Sequence, residues 1–401
     1  MEFDVLDPNL YAGDPFPAYA ELRRHAPIYW DAKNECWVLS KYEDVVYVSK
    51  NPKIFSSAQG VMADADIMIS IVSMDDPRHA QLRKVVSAGF TPRMVRALKS
   101  RIDEITTSCI DAIADRGECD FVHALAVPLP LLVIAEMLGV HHEDYARFEH
   151  WSDTMIVAAG QNDNLEILER ASQSYVEFAE YMQGVFAERR VEPREDLVTV
   201  LVDAERGGIL ATNEDNISLD ELHMFMTLLL VAGNETTRNA ISGGLLALSE
   251  WPEEKAKLLA NPGLIDSAAE EILRWVSPIV GFRRTATEDT VIRGQKIEKG
   301  QKVVMLYQSA NRDEDVFGDA DVFRIDRKPN DHVAFGIGAH FCLGANLARF
   351  EIRVALSEVL RRLPDIRVRP GVGPERVLSP LVRGIQSLPV VYTPENRSAA
   401  T

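Results

Sequence analysis

Phe335-Gly336-Ile337-Gly338-Ala339-His340-Phe341-Cys342-Leu343-Gly344 leads directly into Ala345–Leu363, ANLARFEIRVALSEVLRRL, whose apolar residues recur at helical spacing. A cysteine just ahead of a helix meets the positive end of the helix dipole and unpaired backbone N–H groups. Both favour the thiolate and lower the cysteine pKa, which makes Cys342 a good axial ligand for iron. Gly336 and Gly338 permit a tight loop whose backbone lies close to a flat cofactor, and Gly344 starts the helix without a side chain beneath it. Phe335 would shield the sulfur, and His340 is placed to donate to a carboxylate.

Each of these residues alone has a plainer reading. A lone cysteine before a helix is usually structural, FGIG by itself is a turn, and a nucleotide loop fails because GxGxxG is not completed. The combination is specific: FGIGAHFCLG resembles the cytochrome P450 signature F-G-x-G-x-H-x-C-x-G at every defined position. The resemblance implies a mainly α fold, a helical bundle with small β-sheets enclosing haem b. It makes Cys342 the iron ligand, with Phe335, Gly338, Gly344 and a propionate-holding His340 around the ring.

Composition agrees with a large globular core: 46% of residues are apolar and 26% charged. A formal net charge of −18 argues against nucleic acid or an anionic membrane surface as the main partner. The N-terminus has no basic region followed by an apolar stretch, so no signal peptide or membrane anchor is expected and the protein is placed in the cytoplasm. Met224–Gly233 is about ten residues long, whereas a membrane span needs roughly 20, so it reads as a buried helix. Cys36, Cys109 and Cys119 form no CxxC pair and read as inert thiols.

Along the chain, Pro27–Phe55 reads as short strands and turns. Pro77 to about Leu259 reads as the helical bulk, with starts at Thr91-Pro92, His142-Glu143-Asp144 and a Ser218-x-x-Glu221 capping box. After Pro278 short strands return, with GQKIEKGQKVVMLY suggesting a hairpin, before the final helix from about Leu343 to Leu363. The tail past Pro394 is expected to be loose. No repeat or polar linker divides the chain, so residues 1–401 are expected to form one haem domain.

The resemblance extends over most of the chain. Glu271-x-x-Arg274 and the later Arg327 match the family's ionic lock. Alone, an i,i+3 pair is an ordinary surface pair, but here it would support the cysteine loop. MDDPRHAQLRKVVSAGF resembles the family's helix at the haem edge, so His79 and Arg83, one turn apart, would hold propionates, with Arg284 as a further donor and Arg283 the less favoured neighbour.

AGNETT (232–237) lies inside the apolar stretch MFMTLLLVAGNETTRNAISGGLLALS, where glycine, carboxylate and hydroxyl groups are individually unfavourable. By resemblance, Gly233 makes room for dioxygen, the co-substrate. Thr236 hydrogen-bonds at the oxygen site and Glu235 brings protons from solvent. The intact acid–alcohol pair favours a monooxygenase over a peroxide-driven or carbon–carbon coupling P450.

The haem domain leaves no segment for a flavin or iron–sulfur centre. Electrons are therefore expected from a separate ferredoxin and ferredoxin reductase, docking near Arg78, Lys84, Arg93, Arg349 and Arg353; a monomer is the family default. The expected substrate pocket comprises Met62, Ile67, Met68, Ile71, Met155, Met226, Val280 and Leu381, with Ile279, and suits an apolar small molecule. Several stretches resemble bacterial P450s that hydroxylate steroid side chains. Fatty-acid, terpenoid or macrolide oxidation is the alternative within the class. A non-catalytic haem sensor is the alternative outside it, and CxxCH is absent for a c-type carrier.

Overall fold

The computed structural model describes residues 3–158, 164–206 and 219–395. Its axis is the helix Leu219–Glu250, 32 residues long, against which Pro128–Met137, Ile265–Val276 and Ala345–Arg362 pack. Two glycines allow one of these contacts. A Cβ on Gly243 would lie 2.8 Å from Val276, and one on Gly244 would lie 3.0 Å from Ile272. Glycine in a helix interior costs about 1 kcal/mol relative to alanine, which the close approach of Ile265–Val276 offsets through added dispersion and burial.

Hydroxyls on the long helix are absorbed locally. Thr227 donates to His223 O (3.0 Å), Ser242 to Arg238 O (2.8 Å) and Ser249 to Leu245 O (2.8 Å). Among the described residues, no helix is long and apolar enough to cross a membrane. The main hydrophobic core joins these helices, and smaller clusters lie around the largest sheet. That sheet has the order Ile28–Asp31, Cys36–Leu39, Lys302–Leu306, Gly281–Ala286, Phe55–Ser56, parallel only between its second and third strands.

Two expectations need correction. Pro27–Phe55 is not all strand and turn, because Tyr42–Lys50 is a helix. Glu43 and Asp44 in its first turn and Lys50 in its last suit the dipole. Its N-terminus is held from far along the chain, where Asp313 accepts from Tyr42 N at 2.9 Å. Nor do the two halves of GQKIEKGQKVVMLY pair with each other. Gln295–Ile297 forms its hairpin with the preceding strand Thr290–Ile292, across Arg293-Gly294, whose φ values of 47° and 81° fit a tight turn.

The helix start at Thr91 holds, its hydroxyl accepting from Met94 N, and the final helix is Ala345–Arg362. His142–Asp144 is a 3-10 turn leading into Tyr145–Ala158. Ser218 of the capping box and nearly all of the tail past Pro394 lie outside the described residues.

Candidate active site

The cysteine loop is built from a few backbone hydrogen bonds. Gly336 N donates to Val333 O and Cys342 N to Phe335 O, both at 2.9 Å. Gly336 and Gly338 have φ of 66° and 81°, a left-handed region that excludes most side chains. Gly338 has a second reason to be glycine, since a Cβ there would lie 2.5 Å from Ser49 O. At Gly344 a Cβ would meet nothing within 4 Å, because the residue lines a cavity that also exposes Cys342.

The cysteine thus touches cavity space while lying deep inside the protein. Burial pushes its pKa up; the Gly344 N–H and the charges of Arg83 and Arg349 oppose that but do not reverse it. The N–H at the helix start acts in the direction the sequence suggests, against desolvation.

His79, Arg83, Arg284 and His340 meet at this cavity. The imidazoles of His79 and His340 are in tilted contact with centroids 4.2 Å apart, and Ser57 Oγ lies 3.2 Å from His340 Nε2. Arg83 donates to Phe341 O at 2.6 Å and Arg284 to Arg283 O at 2.8 Å, so neither bond neutralises a guanidinium. Burial, then Arg284, His79 and Arg83, push the His340 pKa down to about 3. His79 Nε2 is buried with no partner among the described residues. Arg283 is directed elsewhere, to Asp66 (2.6 Å) and Gln59 O. Arg83 and Arg284, which pair with no carboxylate among the described residues, and the unpartnered Nε2 of His79 converge beside a cysteine and the open Gly344, which fits a flat dianionic group such as haem.

The long helix forms another wall of the same cavity through Ala232, Gly233, Thr236 and Thr237. Thr236 Oγ1 donates to Ala232 O at 2.9 Å. Gly233 borders the cavity, but its missing Cβ is taken up by Ile134, which would lie 2.8 Å away. Its smallness therefore also serves helix packing. Glu235 does not line the cavity. It pairs with Arg238 at 2.6 Å and accepts from Asn239 Nδ2 at 2.9 Å, while Asn239 Oδ1 accepts from Ile385 N at 2.8 Å.

The lock residues come together at full burial. Arg274 donates twice to Glu271 at 2.8 Å, and Arg327 Nε lies 3.1 Å from both carboxylate oxygens. Sequence reading missed how this reaches the cysteine loop. Arg274 donates to Asn311 O, and Asn311 Oδ1 accepts from Val333 N, each at 2.8 Å. Glu270 was missed as well: it receives Arg349 (2.7 Å) and His332 (3.1 Å), and Arg349 lies 4.6 Å over the Phe335 ring. Burial opposes ionisation of Glu270, but His332 and Arg349 prevail and hold its pKa at about 2. Its adjacency to Glu271 was the available signal.

The expected substrate residues divide. Ile71 and Ile279 line the cavity, joined by Val61, Phe225, Leu229 and Phe282, which sequence reading did not name. Met62, Val280 and Leu381 instead border a separate small cavity. Ile67 and Met68 are each 48% exposed, Met226 is fully buried in the main core and Met155 packs against that core. Hydrophobicity at those positions serves packing or remains at the surface. Of the expected docking cations, Arg78, Arg349 and Arg353 pair internally with Glu221, Glu270 and Asp266, while Lys84 and Arg93 are exposed.

A mainly helical fold with a cysteine before a helix, facing an apolar cavity edged by His79, Arg83, Arg284 and His340, defines the haem-thiolate class. The cytochrome P450 family profile matches residues 162–389. A steroid C26-monooxygenase of Mycolicibacterium smegmatis is 39% identical over 394 residues, covering 98% of this chain and 96% of that protein. A methyl-branched lipid omega-hydroxylase of Mycobacterium tuberculosis is 41% identical over 414 residues, covering 98% and 94%. The solved structure of CYP109E1 from Bacillus megaterium in complex with testosterone has a TM-score of 0.86 at 34% identity, covering 95% of this chain and 100% of that one. The chain belongs to the cytochrome P450 family; it is a monooxygenase of the class that uses haem iron with a cysteine thiolate ligand and O2.

Proposed function

We propose that residues 1–401 act as one haem domain that hydroxylates an aliphatic position of a steroid. The observation that carries this reading is the apolar lining by Ile71, Val61, Phe225, Leu229, Ile279 and Phe282 in the cavity shared by Cys342 and Thr236. The names of the relatives support it. A methyl-branched lipid is the second reading, favoured by the 41% identical hydroxylase.

In this reading Cys342 ligates the iron, and His79, Arg83, Arg284 and His340 hold the propionates. When bound, haem would supply oxygen activation, and the Cys342 thiolate would donate electron density to it. Thr236 would offer its hydroxyl in the cavity it shares with Cys342, and Glu235, held by Arg238 and Asn239, would carry protons toward it from solvent. One oxygen atom enters the C–H bond and the other leaves as water, consuming two protons and two electrons. We assign the electrons to a separate ferredoxin with its reductase, and the protein to the cytoplasm.

The test is a spectral titration of ferric protein with cholesterol-like steroids, methyl-branched fatty acids and terpenoids. A saturable low-to-high-spin change with a steroid, followed by hydroxylated product, is expected. A response to branched lipid and none to any steroid would replace the first reading by the second.

A further inference from the structure

A second cavity of about 460 Å³ lies farther along the long helix, against Gly243 and Ala247, and shares no lining residue with the cysteine cavity. Three arginines contribute to its wall: Arg312, Arg376 and Arg383. Arg312 is only 4% exposed, and its guanidinium lies 3.4 Å from the Trp275 ring centroid and 4.2 Å from that of Phe16. Its terminal nitrogens reach Asp321 (3.2 Å) and Trp275 O (3.4 Å), but its buried Nε has no partner among the described residues. Arg383 gives one bond to Gly13 O at 3.1 Å and likewise leaves a buried Nε unpartnered. Arg376 has no ion pair among the described residues.

Of the acids at this cavity, Asp321 pairs with Arg312, while Asp14 and Glu250 form no ion pair among the described residues. The Asp321 side chain is 70% exposed, and Asp14 is exposed and accepts from Phe16 N at 3.1 Å. Burial pushes the Glu250 pKa up, and Arg376 and Arg383 oppose that shift. Desolvation, then a neighbouring guanidinium, pushes Arg312 down to about 9 and Arg376 to about 10. Buried cations in this state gain from an added anion with several acceptor oxygens.

We propose that this cavity is an accessory site for a small oxyanion, a carboxylate or a phosphate, held by the guanidiniums of Arg376 and Arg383 beside the fixed charge of Arg312. Aromatic faces hold Arg312 in place, so that its charge is fixed at the cavity wall without rotamer loss on binding. The site is independent of the substrate reading, because none of its residues borders the cysteine cavity.

Isothermal titration of the haem-loaded full chain with acetate, succinate and inorganic phosphate, against chloride at matched ionic strength, tests this. One saturable site is expected, at least tenfold tighter for an oxyanion than for chloride. The tighter of succinate and phosphate identifies the source. Arg376→Gln should weaken binding at least tenfold, Arg376→Lys should retain part of it, and the haem spectrum should not change on binding. Equal, non-saturating responses to all salts by the unmodified protein would overturn the proposal whatever the variants do. So would undiminished binding in both Arg376→Gln and Arg383→Gln, or competition with a substrate that shifts the haem spectrum.

Discussion

Glu271→Ala removes the one carboxylate shared by two buried guanidiniums. Glu271 is fully buried, with Arg274 1% and Arg327 3% exposed, so water cannot replace the lost acceptor. The arginines keep bonds to the carbonyls of Asn311, Ala320 and Gly318, but none of these carries charge. Leaving a buried ion without its partner costs about 3 to 5 kcal/mol, a large part of the roughly 5 to 15 kcal/mol that holds a typical domain folded. The loss should propagate through Asn311 to Val333 and the cysteine loop. Urea denaturation followed by circular dichroism measures the first effect, and the thiolate fraction in the ferrous–carbonyl spectrum measures the second. Arg353→Gln, which breaks the exposed pair with Asp266, should cost under about 1 kcal/mol. If Glu271→Ala lost no more than Arg353→Gln and kept full thiolate ligation, the argument from burial would fail.

Gly338→Ala and Gly294→Ala share a φ of 81° and differ in surroundings, Ser49 O at 2.5 Å against open space. Both should pay about 1 to 2 kcal/mol of backbone strain, and only Gly338→Ala should also lower haem retention on a desalting column. For Glu270, a pKa brought down to about 2 from 4.5 corresponds to about 3 kcal/mol, reduced to about 2 because the side chain is 31% exposed. Its folded pKa is depressed, so this stability is present above pH 4.5 and is lost as pH falls toward 2. Glu270→Gln should flatten that part of the acid-unfolding curve, and an unchanged slope would contradict the assignment. In the cavity, Leu229→Ala should weaken the spectral affinity for a bound steroid by about tenfold, from the loss of roughly 1.5 kcal/mol of apolar contact. Ile67→Ser, on the surface, should leave that affinity within about twofold.

The cysteine loop was legible because its chemistry is contiguous: positive-φ glycines, a thiol and a helix start lie within ten residues, and local dihedral preferences determine their arrangement. Glu271 and Arg274 were legible for the same reason, being one helical turn apart. The hairpin was misassigned because GQKIEKGQKVVMLY contains two strand patterns, and only the sheet determines that they belong to different partners. The helix Tyr42–Lys50 is capped by Asp313, which no local pattern announces. The substrate wall was the least legible part. Met226 and Leu229 are both apolar residues on one helix, yet one is sealed in the core and the other meets the cavity. Hydrophobic spacing shows that a face is buried, but not whether protein or cavity lies beneath it. Helix rotation set by packing decided that.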